Sequence, residues 1–216
     1  MREFAYGDLI TLLSSLRWTL VLTVVAFLSG AVGGLVIGLA RHLGALPLRL
    51  VAFLWVRLFQ GVPLLIVLLV TFFLPPILLG VDVNPWVAVS FGFACYSSAN
   101  LGEILRGALE AVPQGQREAA RVLGMRPLRV LTDITLPQAL RLSIIPSLGF
   151  FIQLLKGTSL ASVVGFIELT RTAQVINNAT FNPFLIFGLV GALYFFMCWP
   201  LSLLCRRLEH RFPLAT

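Results

Sequence analysis

The side chains best equipped for chemistry in this 216-residue chain fall in two settings. One is a polar stretch, residues 110–141, reading EAVPQGQREAARVLGMRPLRVLTDITLPQALR. The other is a scatter of polar residues inside apolar runs: Gln60, Ser97, Ser98, Asn100, Glu103 and Gln153. Both sets are suited to binding and positioning rather than bond cleavage. A phosphate-binding P-loop needs Lys followed by Ser or Thr after a glycine-rich turn. Lys156 is the one lysine and Gly157 follows it, which rules that motif out. The sequence has no GxSxG elbow, no Cys/His metal spacing and no recognisable carboxylate pair. Cys95, Cys198 and Cys205 lie in apolar runs and read as small buried hydrophobes, not as a disulfide or metal set. His42 and His210 sit in charged flanks without a ligand-like partner nearby.

Polar groups within a membrane are costly and often line pathways. Glu103 has two equal readings: a carboxylate for a substrate ammonium group, or a partner for Arg106 one helical turn on. Ser97 and Ser98 favour back-bonding within their own helix over a pathway role. Arg57 lies several residues inside an apolar run, where snorkelling to the headgroups outweighs binding a substrate carboxylate.

The elements that must position these groups are membrane helices. The chain is 58% hydrophobic and only 12% charged, with no charge in residues 18–40, 58–81, 83–102 or 172–205. About 20 apolar residues cross a bilayer as helix, where the backbone must satisfy its own hydrogen bonds. The fold class is therefore all-α and integral to the membrane. Five spans are expected, at about 18–40, 50–74, 85–109, 138–156 and 183–205, in one transmembrane domain covering 1–216. Residues 1–16 suit a short helix lying at the interface. The first apolar run begins late and is long enough to span, unlike a signal peptide.

Arg41 and Arg49, the arginines of 110–141, and Arg206, Arg207 and Arg211 fall on one side of this layout. The positive-inside rule then places the amino terminus outside and the carboxyl terminus in the cytoplasm. The net charge of +7 thus expresses topology and not nucleic-acid binding. Gly30, Gly34 and Gly38 form overlapping GxxxG spacings, which either make a close-packing seam or reflect glycine-rich composition.

Within the polar stretch, the connection 110–137 is the least membrane-like part of the chain. Gln114 to Gly124 can form a helix with Arg117, Glu118 and Arg121 exposed and Ala119, Ala120 and Leu123 available to pack. Gly124 is placed to stop it in the left-handed conformation, Pro127 to open a second short helix, and Pro137 to close the loop. Such a knob suits a groove on a partner.

Glu118-Ala119-Ala120, three residues, Gly124, nine residues, then Ile134-Thr135-Leu136-Pro137 resembles the EAA signature of bacterial ABC importer permeases. SANLGEILRGALEAVPQGQREAARVLGM and LPQALRLSIIPSLGFFIQLLKGTSLASVVGFIELT look like the polar amino acid branch of that family. The resemblance implies a cytoplasmic coupling helix, with Glu118, Ala119, Ala120, Arg121 and Gly124 meeting a separate ATPase subunit that holds ATP and Mg. It further implies a second permease subunit, an extracytoplasmic solute-binding protein and residence in the bacterial inner membrane, with no cofactor bound directly and lipid as surroundings. It puts Lys156 near a pathway or gate, against a plain role as interfacial anchor. Where the family commonly has RGTPLL, this chain has Gln60-Gly61-Val62-Pro63-Leu64-Leu65, so opines, ectoine-like zwitterions and other small polar solutes stand beside amino acids as cargo. The competing readings are a self-sufficient secondary transporter or channel, which would need inverted repeats or paired broken helices, and a structural scaffold.

Overall fold

The computed structural model describes residues 2–211, all of them in helices or short connections, with no strand among the described residues. The helices are α1 (Tyr6–Leu43), α2 (Leu46–Gly61), α3 (Leu64–Leu79), α4 (Pro85–Ala111), α5 (Gln114–Val122), α6 (Pro127–Arg129), α7 (Leu136–Gly157), α8 (Leu169–Thr180) and α9 (Pro183–Arg211). A π-helical turn, Val130–Thr135, joins α6 to α7, and a 3₁₀ stretch, Thr158–Val164, follows α7.

Three segments are long and apolar enough to cross a membrane: α1, the rod Pro127–Val164, and α9. α2 and α3 pass that test only as a pair. α4, at 27 residues, has the length but not the apolarity. The reason is its position. α1, α2, α3 and α7 all pack against it, so its surface meets protein more than lipid and can carry buried Ser97 and Ser98.

Three expectations about element boundaries are corrected. The short interfacial helix expected over 1–16 is not separate among the described residues 2–16, because α1 starts at Tyr6 and runs on through the membrane segment. Its first turns are held by packing: Leu12 is fully buried with Leu169 and Ala173 of α8 and Ile186 of α9. The span expected at 50–74 is broken, with α2 and α3 meeting at 104°. Pro63 lacks an N–H and drives Val62 out of the helical region, to φ −103° and ψ 131°. The span expected at 138–156 begins eleven residues earlier, at Pro127, and Pro137 closes no loop. It sits in the first turn of α7, just after the π turn. The wider π geometry leaves room for a ring that would crowd the preceding α-helical turn.

The glycine spacing of α1 forms a seam against α4. A Cβ added at Gly30 would overlap Ser97; one at Gly34 would lie 2.9 Å from both the Gly102 nitrogen and Leu101 Cβ. At Gly38 it would press on Leu105 at 3.0 Å. Backbone contact this close is available only to residues without a side chain. Above the seam Leu22, Ala26, Leu68, Val89, Phe93, Phe150 and Leu154 form the main core. At the end remote from α5, Trp86 stands edge-on to Trp18 at 5.3 Å and to Phe166 at 4.6 Å. Cys95 and Cys198 are buried and Cys205 half-buried, all as free thiols.

Candidate functional site

The polar knob is built by α5 and the turn after it. Gly124 at φ +76° ends the helix. The Met125 N–H donates to the Ala120 carbonyl at 3.1 Å and the Gly124 N–H to that of Arg121 at 3.0 Å. This Schellman closure satisfies two carbonyls that the helix end would leave open. α5 packs on the π turn, and Ala120 is its one buried residue. Glu118 and Arg121 are exposed as expected. The expected packing roles of Ala119 and Leu123 are corrected: Ala119 is exposed, Leu123 is 81% exposed and Val122 beside it 87%. Arg117, expected to be exposed, is half-buried and donates to the Val112 carbonyl at 3.1 Å. The cation thus meets an open carbonyl at the C-terminus of α4. The result is a capped ridge with Val122 and Leu123 at its crest and Glu118 and Arg121 on its flank.

The second candidate region surrounds the α2–α3 break. Gln60, the residue before Gly61, donates from Nε2 to Asn100 Oδ1 at 3.5 Å. Asn100 donates in turn to the Tyr96 carbonyl at 2.8 Å. Ser98 donates to the Cys95 carbonyl at 2.7 Å and accepts from Trp55 Nε1 at 3.0 Å, tying α2 to α4. Ser97 faces the seam, and its buried hydroxyl has no partner among the described residues. Gln60 is therefore open to the break while both serines are enclosed. Gln153 and Lys156 are exposed on α7.

Glu103 belongs to neither region. Its Oε1 accepts from Arg106 Nε at 2.9 Å and Nη2 at 2.6 Å, and its Oε2 pairs with Arg41 of α1. Arg106 also pairs with Glu110. Of the two readings of Glu103, the arrangement matches ion pairing, with Arg41 as a further partner 62 residues distant in sequence.

Sequence reasoning missed Glu168. It is fully buried, at the N-cap of α8, and accepts from the N–H groups of Thr170 at 2.9 Å and Arg171 at 2.8 Å. Tyr194 of α9 donates to it at 3.1 Å, and the Leu169 N–H next to it donates to Thr19 of α1 at 3.2 Å. Burial pushes the Glu168 pKa up, and the donors act against that. One carboxylate so joins α8 to α9, with α1 alongside. The available signal was a lone Glu after the apolar run VVGFI, opening a stretch in which Leu169, Ala173, Ile176 and Thr180 recur at helical spacing.

Fold and site together define a polytopic helical membrane protein with an exposed ridge at one end and a broken helix within the bundle. The chain belongs to the family described as the binding-protein-dependent transport system inner membrane component, whose model matches residues 30–212. It is 36% identical over 195 residues to the L-cystine transport system permease protein TcyB of Bacillus subtilis, covering 90% of this chain and 83% of that one. It is 37% identical over 181 residues to the probable glutamine ABC transporter permease protein GlnP of the same organism, covering 82% and 83%. A solved structure described as an amino acid ABC transporter with histidines superposes with a TM-score of 0.89 at 32% identity, covering 98% of this chain and all of that one. The inward-facing MetNI methionine ABC transporter matches at 0.80 and 19% identity, a likeness of fold.

Proposed function

We propose that this chain passes work from a separate ATPase to the uptake of a polar amino acid, as one of two permease subunits in an ATP-binding-cassette importer. The observation that carries this reading is the α5 ridge: Glu118 and Arg121 exposed on a helix locked by Gly124, with Val122 and Leu123 uncovered. Uncovered apolar residues rimmed by charge are what a docking surface needs. ATP and Mg reside on the ATPase, and this side of the molecule faces the cytoplasm. The positive-inside count supports that orientation, with the amino terminus outside and the carboxyl terminus inside. A solute-binding protein delivers cargo at the opposite end.

The relatives named for cystine and glutamine support an amino acid as cargo. The break between α2 and α3 supports a binding position beside Gln60 and Asn100. Discontinuous helices present free N–H groups to anionic parts of a substrate, which suits an α-carboxylate. With the uncharged Gln60 and Asn100 amides flanking the break, a net-neutral zwitterion is a better fit than a cationic or acidic solute. A broken helix is also a mark of secondary transporters, but family membership and the α5 ridge favour the ATP-driven reading.

The test is to purify the chain from its native membrane in mild detergent and identify its companions. An ABC ATPase in near one-to-one ratio, with ATP-dependent uptake of a neutral amino acid in proteoliposomes, is the expected result. Uptake driven by an ion gradient with no ATPase present would overturn the reading.

A further inference from the structure

At the α5 end of the bundle, outside both candidate regions, a cavity of about 450 Å³ opens where α1 turns into α2. Its polar wall is basic: Arg41 and His42 from α1, Arg49 from α2 and Arg106 from α4. Glu110 is the single carboxylate in the lining, and it is already engaged by Arg106. Arg41 and Arg106 share Glu103. Arg49 is exposed and has no carboxylate within ion-pair distance among the described residues. Three guanidinium groups thus meet two carboxylates, and the unmatched one faces the cavity.

The rest of the lining is apolar. Leu46 and Leu50, 79% and 54% exposed, flank the opening. Phe53 forms the floor, with Arg41 over its ring at 5.6 Å and Arg57 at 5.0 Å. Along α2 the lining runs Leu46, Arg49, Leu50, Phe53, so the cavity sets its cations among apolar side chains where α1 turns into α2. We infer that this cavity is a binding site for the phosphodiester headgroup of an anionic phospholipid, phosphatidylglycerol in type, from the leaflet on the α5 side. The phosphate meets Arg49 and Arg41, and the acyl chains run along Leu50 toward Leu54, which is 56% exposed. A basic pocket between membrane helices on the cytoplasmic side is the expected form of such a site. A free phosphate shares the cation chemistry but gains nothing from the apolar flank. The assignment to the inner leaflet rests on the orientation proposed above; the site itself does not.

Glu110 lies four residues before Gln114, the first residue of α5. A lipid held here bridges the α1–α2 elbow to the end of α4 that carries the ridge. The experiment uses the intact chain, with its native companions, exchanged into mixed micelles of zwitterionic lipid and detergent. Phosphatidylglycerol is titrated in and the bound fraction read by native mass spectrometry of the released permease. Saturable binding of one lipid per chain is expected, weakened about fivefold in Arg49→Gln, the size of one basic residue against an anionic headgroup. Arg207→Gln, an equal charge change on α9, should leave it unmoved. The thermal midpoint of Arg49→Gln without added lipid should match the wild type, separating lost binding from lost folding. Equal weakening in both variants, or non-saturable uptake, would reduce the effect to bulk electrostatics and sink the proposal. Displacement of the lipid by millimolar inorganic phosphate would reassign the cavity to a free anion. Failure of the importer reading would show instead as absent ATPase or uptake, which this titration does not touch.

Discussion

Glycine does opposite work at the two ends of the molecule's design. On the α1–α4 seam Gly34 adopts ordinary helical geometry, and what matters is space: a Cβ there meets backbone of Gly102 at 2.9 Å. At the knob, an added Cβ on Gly124 meets nothing within 4 Å, and what matters is the dihedral, φ +76°. One glycine is chosen by its neighbour and the other by its own backbone. The seam is thus a tertiary feature that any side chain disrupts, whereas the knob is a local feature that tolerates bulk but resists the wrong conformation. The exposed face of the knob adds a third kind of residue, Glu118, which answers to neither constraint.

The largest effect is expected at Glu118. Glu118→Lys should leave the permease folded and cut ATP-driven uptake about ten- to a hundredfold, the scale of losing a charge-assisted contact. Full uptake in that variant would remove the ridge from the coupling path. Gly34→Ala comes next, with an expected cost of about 1–3 kcal/mol from overpacking, read as a lower thermal midpoint in detergent. Because the obstruction is backbone, no larger residue should rescue it. Gly124→Ala is the smallest, at about 1–2 kcal/mol of left-handed strain, and Gly124→Asn should recover most of that. If Asn failed at 124 or Ala were harmless at 34, the distinction between space and dihedral would collapse.

Much of this was legible in the residue string. The helix from Gln114, its stop at Gly124 and the exposure of Glu118 all follow from local rules, because a surface helix and its cap answer to a few neighbours. The GxxxG spacing in α1 was visible too, but whether it formed a seam depended on Ser97, Leu101 and Gly102, which nothing in α1 specifies. The break at Gly61-Val62-Pro63 was written in plain turn residues, yet the flanking apolar residues read as one span, since hydropathy averages over a window and carries no direction. The apolar character of Ala119 and Leu123 predicts packing roles for both. The ridge inverts that rule by leaving apolar side chains uncovered. The Arg41–Glu103 pair and the Tyr194 bond to Glu168 could not be read at all, because each needs the fold to bring distant segments together, whereas the cap that Glu168 makes on its own helix is local.

The composition of α4 has a consequence for biogenesis. A segment that carries Glu103, Arg106 and Glu110 near its end, with buried serines along its middle, partitions poorly into lipid alone. α1 is synthesised first and already presents the glycine track that receives it. α4 is therefore expected to need the helix made before it when it enters the bilayer, which would make the order of synthesis part of how this sequence reaches its fold.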